Sequence, residues 1–319
     1  MASDTKEYFM KVSGFTFIRN GVKLDYPFIE SIRSIMPIVD EFIVVVVESE
    51  DDTLAKVKSI KSKKIKVIEE KWREDLKGGG KLLEYYTDIA KDNCKGDWCF
   101  YLQGDEVIHE KYLEYIRCAL IEYKDNPKVE GFALKFKHFY GNYDLYHEGE
   151  GWVRNEVRIV RNLPDIKSYR AASGFRWKDD RKLNVIMLDA YVYHYGWARK
   201  KSVMKKKVLE HSSWHHKDEK ALKEIENKGL KEIYRHAHSL HMFTETHPMV
   251  MENRLKERED YLSIDPKLLN IKTIYKVRDF FANVSEFLFG RRIGEYENFK
   301  RVGYYMPYSE FTECKKEGL

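Results

Sequence analysis

The feature that most constrains the fold is a regular alternation of apolar runs and helical segments between residues 15 and 103. The run at 41–47 is continuously apolar after Glu41 rather than alternating, which is typical of a strand buried on both faces. Because parallel neighbours need a crossover helix between them, a βαβαβαβ order predicts an α/β fold with a mostly parallel sheet flanked by helices. The predicted strands are FTFIR (15–19), EFIVVVV (41–47), KIKVIEE (64–70) and WCFYLQ (98–103).

The second half of the chain has a different pattern. Alternating strands are predicted at 129–140, 155–162 and 184–197, and from Ala198 onward the pattern is helical and highly charged. We therefore predict one α/β domain over residues 1–197 and a helical C-terminal extension over 198–319.

Composition and charge exclude several classes of protein. The net charge of +5 is small against 57 basic and 52 acidic residues, so we expect no nucleic-acid partner. No apolar stretch approaches the roughly 20 residues that span a bilayer, and the first residues lack a signal-peptide pattern, so we expect a cytoplasmic protein. Basic runs at 56–66 and 199–207 could hold phosphates, with a solvated surface as the alternative.

Polar side chains follow two of the predicted strands at their carboxyl ends. Ser49 and Asp51 follow the second strand, and Gln103, Asp105 and Glu106 follow the fourth. Ligands of parallel sheets bind outside this edge. Carboxylates in a partly open shell suit Mg²⁺ or Mn²⁺ that bridges to a diphosphate, so the edge predicts a cation site. The alternative is that Asp105 or Glu106 caps the helix that follows.

Taken together, the segments resemble the family 2 glycosyltransferases of GT-A fold, in the bacterial type that has QGDE in place of Asp-x-Asp. The resemblance covers roughly residues 12–200. It implies a Rossmann-like sheet and transfer of a sugar, with inversion, from a nucleotide donor to an acceptor hydroxyl. The segments that carry it are FTFIRNG, FIVVVVESEDDT, WCFYLQGDEVIHEKYL, WVRNEVRIVRN and YVYHYGW.

The resemblance also implies partners and site residues. Asp105 and His194 would hold Mn²⁺ or Mg²⁺, and a neutral amide at position 103 suggests that the cation is weakly bound. The donor would be a UDP-, GDP- or dTDP-sugar bound mainly by residues 12–110, and a glycan or glycolipid acceptor would lie mainly against 130–197. The residues expected to bind the nucleotide sugar are Arg19, Asn20, Ser49, Asp51, Gln103, Gly104 and Arg199.

The catalytic base is less well specified than the donor site. Inversion needs a carboxylate that takes the proton of the acceptor hydroxyl, and Glu156 and Asp180 are the candidates. Glu156 comes first because aromatic and arginine residues surround it, although a structural salt bridge with Arg154 or Arg158 is the alternative.

Two other classes of function remain open: a metal-dependent nucleotidyltransferase, and a non-catalytic module that binds nucleotide sugars. Residues 277–294 have an apolar face with flanking arginines. This pattern suits peripheral contact with the inner face of a membrane, and a helix packed on the catalytic domain is the alternative.

Overall fold

The structure is a computed structural model that describes residues 10–147, 152–215, 240–257, 259–262 and 296–306, with isolated positions between 223 and 288. The strands are β1 Val12–Ile18, β2 Glu41–Val47, β3 Ile65–Glu70, β4 Trp98–Tyr101, β5 Glu106–Ile108, β6 Gly131–Tyr140, β7 Leu145–His147, β8 Asn155–Arg161, β9 Ile166–Tyr169, β10 Gly174–Trp177, β11 Asn184–Trp197, β12 Leu240–Met242 and β13 Lys300–Tyr304. The helices are α1 Phe28–Ile35, α2 Thr53–Lys58, α3 Lys81–Asp92, α4 Leu113–Glu122, α5 Lys201–His215 and α6 Glu252–Lys256.

Within the part of the chain that the structure describes, the main sheet has 11 strands, and its N-terminal half is parallel in the order β3-β2-β1-β4. Antiparallel strands β8, β6, β7 and β12 continue it. Strand β11 runs parallel to β6 and also pairs with β5 and β13. Strands β9 and β10 form a separate hairpin. The predicted α/β class with a helix-flanked sheet is confirmed.

Strand β2 shows why the first half forms a sheet between two helical layers. Phe42, Val44 and Val46 belong to the apolar cluster under α1 and α4. The alternate residues of β2 belong to a second cluster, which contains the buried face of α3. Because successive side chains of a strand point to opposite faces, this continuous apolar run fills both layers.

The QGDE segment departs from its predicted surroundings. Strand β4 ends at Tyr101, and a second strand, β5, begins at Glu106. Helix α4 begins only at Leu113, and the side chain of His109 caps the turn before it by accepting from the Lys111 backbone N–H at 3.2 Å. Neither carboxylate of QGDE therefore caps that helix.

The C-terminal region contributes to the main sheet as well as to the helical layer. Beyond α5, its described part includes β12, which pairs with β7, and β13, which pairs with β11. The segment 277–294, considered above for membrane contact, lies outside the described residues except at isolated positions. Within the described segments, no helix combines the length and the hydropathy needed to span a bilayer.

Candidate functional site

A cavity of about 570 Å³ opens at the carboxyl edge of the parallel strands. One wall comes from the end of β1 and from the QGDE segment, and another from the end of β11 and the loop before β10. Helix α5 forms the remaining wall. The lining residues with polar or aromatic groups are Phe17, Arg19, Tyr26, Gln103, Asp105, Ser173, His194, Trp197, Lys207, His211, Ser212 and Trp214.

The adjacent carboxylates of QGDE point to different places. Asp105 lines the cavity, whereas Glu106 is 1% exposed and lies within the sheet. Glu106 accepts two hydrogen bonds from the Arg158 guanidinium, at 2.8 Å and 2.6 Å. Its Oε2 also accepts from the backbone N–H of Gln103 at 3.1 Å. One carboxylate therefore serves the cavity, and the other neutralises a buried arginine.

Asp105 and His194, the two cation ligands that the resemblance implies, both line the cavity. Their Oδ2 and Nε2 atoms are 3.8 Å apart. Gly196 leaves open the space beside them, because a Cβ at this position would lie 2.4 Å from Nε2 and 2.9 Å from Oδ2. A divalent cation bonded to both atoms at about 2.0 to 2.2 Å would fit between them.

Two basic side chains adjoin Asp105. Arg199 is 1% exposed, its Nη2 lies 3.3 Å from Asp105 Oδ2, and its guanidinium stacks 4.0 Å from the ring centre of Tyr26. Lys207 reaches into the cavity from α5 and donates to the Gly196 carbonyl at 2.9 Å. The two cations exceed the one carboxylate by a single positive charge, so this part of the cavity favours an anion.

The ionisation states of the groups around Asp105 agree with a net positive charge in this part of the cavity. Burial would raise the pKa of the Asp105 carboxyl, but the His194 ring and the two cations outweigh it, and the pKa is lowered. Burial lowers the pKa of Lys207 to about 8, with a further contribution from Arg199. Burial also lowers the pKa of His194 to about 3. At neutral pH the imidazole is thus uncharged, the form that binds metal ions.

The donor set for a cation is small. Among the described residues, no group of three or more His, Cys, Asp or Glu side chains could hold a metal ion. Asp105 and His194 supply one carboxylate and one imidazole, which leaves most coordination positions to phosphate oxygens and water. This set fits a hard cation that binds together with a diphosphate.

The predicted donor residues Arg19 and Asn20 contact a carboxylate of α5. Glu210 accepts from Arg19 Nη1 at 2.8 Å and from Asn20 Nδ2 at 2.6 Å. Arg19 also stacks 4.0 Å from the ring centre of Trp72. Helix α5 thus holds both side chains, of which Arg19 lines the cavity and Asn20 is fully buried outside the lining.

Gln103 and Gly104 line the cavity, and the Gln103 side chain also supports its wall. Gln103 Nε2 donates to the Ala172 carbonyl at 3.0 Å. The wall segment is strained, because Arg170, Ala171 and Ala172 all have positive φ angles of 47°, 57° and 60°. We conclude that the amide at position 103 stabilises an unfavourable backbone turn beside the cavity.

Ser49 and Asp51 hold the loop after β1 against the end of β2. Ser49 Oγ accepts from the Asn20 backbone N–H at 3.0 Å. Asp51 accepts from the backbone N–H groups of Lys23 at 2.6 Å and Thr53 at 3.0 Å. Neither side chain is among those that line the cavity. Their assignment to the nucleoside stays a prediction.

The two candidates for the base also lie away from the cavity lining. Glu156 is 5% exposed and accepts from its neighbouring Val157 N–H at 2.9 Å, and burial raises its pKa to about 7. Asp180 is 71% exposed and pairs with Arg176 at 3.1 Å. Their assignment as the base stays a prediction, and Arg158 bonds Glu106 rather than Glu156.

Sequence reasoning did not single out three residues of this site: Lys207, Glu210 and His138. The basic run 199–207 was the available signal for Lys207, but nothing in it distinguishes the one inward lysine from its exposed neighbours. Glu210 and His138 carry no sequence signal, because their partners are distant in the chain.

No family model and no curated protein matches this chain. Among solved structures, S. aureus TarS 1-349 in complex with UDP-GlcNAc is 15% identical, with a TM-score of 0.36 over 71% of this chain and 73% of that chain.

Two synthases match over a shorter part. Mannosyl-3-phosphoglycerate synthase from Rubrobacter xylanophilus is 21% identical, with a TM-score of 0.29 over 40% of this chain and 41% of its own. Glucosyl-3-phosphoglycerate synthase from Mycobacterium tuberculosis, in complex with Mn²⁺, UDP and glucosyl-3-phosphoglycerate, is 19% identical, with a TM-score of 0.27 over 41% and 44%. This chain therefore spans less than half of either synthase.

Proposed function

We propose that this protein transfers a sugar from a nucleotide-diphosphate donor to an acceptor hydroxyl, with inversion and with the help of a divalent cation. The observation that carries the proposal is a single cavity at the carboxyl edge lined by one carboxylate, one uncharged imidazole and Lys207, with the buried Arg199 guanidinium beside the carboxylate. The resemblance carried by the QGDE and HYGW segments supports the sugar donor and the inversion.

The charges of the cavity suit a diphosphate leaving group. Arg199 and Lys207 lie beside Asp105, and only one of their two charges is balanced by that carboxylate. A diphosphate that departs in the transition state gains negative charge, and fixed cations stabilise it without reorganisation. We assign Lys207 to this contact because its pKa of about 8 leaves it protonated at neutral pH.

Asp105 and His194 would hold the cation, with the geometry described above. A bound Mg²⁺ or Mn²⁺ supplies further positive charge to the same leaving group. Trp197 lines the cavity beside His194 and offers an aromatic face to a sugar ring. The donor is expected to be a UDP-, GDP- or dTDP-sugar and the acceptor a glycan or glycolipid.

The test is a screen of UDP-, GDP-, dTDP- and CMP-sugars for thermal stabilisation and turnover, with and without Mn²⁺. Stabilisation together with release of nucleoside diphosphate supports the transferase. Binding without turnover identifies a non-catalytic module, and release of pyrophosphate from a nucleoside triphosphate and a sugar phosphate identifies a nucleotidyltransferase. A screen in which no nucleotide sugar binds contradicts the proposal.

Lys207→Met should weaken binding of a nucleoside diphosphate by about 10- to 100-fold, because a charge-assisted hydrogen bond contributes about 1.5 to 3 kcal/mol. The wild-type affinity should also fall as the pH rises from 7 to 9, since Lys207 loses its proton near pH 8. Calorimetry with UDP at several pH values measures both effects.

Lys206→Met is the matched control, because Lys206 is exposed on the same helix. We expect this variant to keep the wild-type affinity and its pH dependence. Equal affinities of the Lys207 and Lys206 variants would remove Lys207 from the site.

A further inference from the structure

His138 lies directly behind His194, on the neighbouring parallel strand. The two residues are register partners of β6 and β11, and their rings meet edge to face with centres 4.9 Å apart. The Nδ1 atoms are 2.8 Å apart, a hydrogen-bond distance. His138 is 5% exposed, and its Nε2 contacts the backbone carbonyl of Val153.

This arrangement determines where the protons lie. A carbonyl oxygen only accepts, so His138 Nε2 must carry a proton and donate it to Val153. An uncharged imidazole holds a single proton, so a buried His138 ring with that proton on Nε2 has a bare Nδ1 that can only accept. The contact between the two Nδ1 atoms then requires that His194 Nδ1 carries the proton.

The opposite nitrogen of His194 is the one that faces the cavity. An uncharged imidazole with its proton on Nδ1 has a free lone pair on Nε2, and Nε2 is the atom 3.8 Å from Asp105 Oδ2. The space beside Gly196 adjoins both atoms. Two electron-rich atoms face each other here, so a cation is the complementary ligand.

We propose that His138 is a positioning residue that holds His194 with its proton on Nδ1 and keeps the Nε2 lone pair directed at a divalent cation. The relay runs from the Val153 carbonyl through His138 to His194. Outer partners of metal-binding histidines orient the ring and fix its tautomer in this way. The inference rests on the proposed function for the purpose of the cation, but the tautomer itself can be measured without a donor or turnover.

The experiment uses the full chain labelled with ¹⁵N-histidine, and long-range ¹H–¹⁵N spectra report which ring nitrogen carries the proton. The His194 signal is assigned by its absence in His194→Gln. We expect wild-type His194 to show a proton on Nδ1 and a bare Nε2. His138→Phe keeps an aromatic ring against Phe136 and Trp152 but removes the acceptor, so the proton should redistribute to Nε2.

Affinity for Mn²⁺ alone is the second measurement. His138→Phe should lower it by about 10- to 100-fold, the usual effect of removing an outer partner. His138→Asn supplies an amide oxygen near the position of Nδ1 and should restore both the tautomer and the affinity. A merely structural role would predict no such rescue.

A wild-type spectrum with the His194 proton on Nε2 overturns the proposal. So does a His138→Phe variant that keeps both the tautomer and the Mn²⁺ affinity. If His138→Phe does not fold, the wild-type spectrum and the His138→Asn variant decide the question. If no nucleotide sugar is turned over, the proposed function fails while the tautomer result stands on its own.

Discussion

Asp105→Asn is expected to abolish the Mn²⁺ dependence of donor binding and to lower sugar transfer by about 10²- to 10⁴-fold, equivalent to several kcal/mol of transition-state stabilisation. Asp105 is the one carboxylate among the described residues that line the cavity, so no neighbour can replace it as a cation ligand. Initial rates and UDP calorimetry, each with and without Mn²⁺, measure the two effects.

The change in UDP affinity in metal-free buffer distinguishes a cation-ligand role of Asp105 from a direct role in binding the diphosphate. If the carboxylate acts only through a cation, its removal in metal-free buffer relieves repulsion of the diphosphate, and UDP should bind equally well or more tightly. Weaker binding in metal-free buffer would contradict a cation-ligand role.

Gly196→Ala should reproduce the loss of Mn²⁺ binding by filling the space between Asp105 and His194. Gly303→Ala, in β13, is the control because its Cβ would meet only the end of a flexible Ile186 side chain, at 3.0 Å.

Glu106→Ala is expected to lower the free energy of unfolding by about 3 to 5 kcal/mol, because it leaves the Arg158 guanidinium buried without a countercharge. The two side chains are 1% and 3% exposed, so water cannot replace the lost partner. Denaturant unfolding monitored by circular dichroism measures the change.

An exposed ion pair provides the matched control. Glu69 pairs with Lys58 at 2.6 Å, but both side chains are more than half exposed, so Glu69→Ala should change stability by less than about 1 kcal/mol. The double variant Glu106→Leu, Arg158→Met should recover much of the loss, since apolar residues can replace a buried ion pair. A Glu106→Ala variant as stable as the Glu69 control would contradict this account.

The strands and the edge of the sheet could be predicted because they depend on local patterns. The run at 41–47 coincides with β2, and the rule that ligands bind at carboxyl ends anticipated that Gln103 and Asp105, which follow β4, line a cavity. Strand periodicity and chain direction contain this information, and both can be read from adjacent residues.

The partners of individual side chains could not be predicted in the same way. Asp105 and Glu106 are adjacent carboxylates with the same chemistry. Their roles differ because Arg158, on β8, the antiparallel neighbour of β4, bonds Glu106. Asp51 is predicted to contact the nucleoside, and no local sequence pattern indicates that its carboxylate also accepts from the backbone N–H groups of Lys23 and Thr53. Such outcomes depend on strand register and loop geometry, which local sequence patterns do not encode.

Because α5 forms one wall of the cavity, the cavity is complete only after this helix has been synthesised. When the ribosome has added Trp197, the chain contains the parallel strands, Asp105 and His194, but neither Arg199 nor Lys207. N-terminal segments fold first as they emerge, so the nascent sheet presents Asp105 without the two cations that adjoin it in the finished protein. The excess of positive charge beside Asp105 is complete only after the helix emerges and docks, so under the proposed function donor binding would follow the folding of α5.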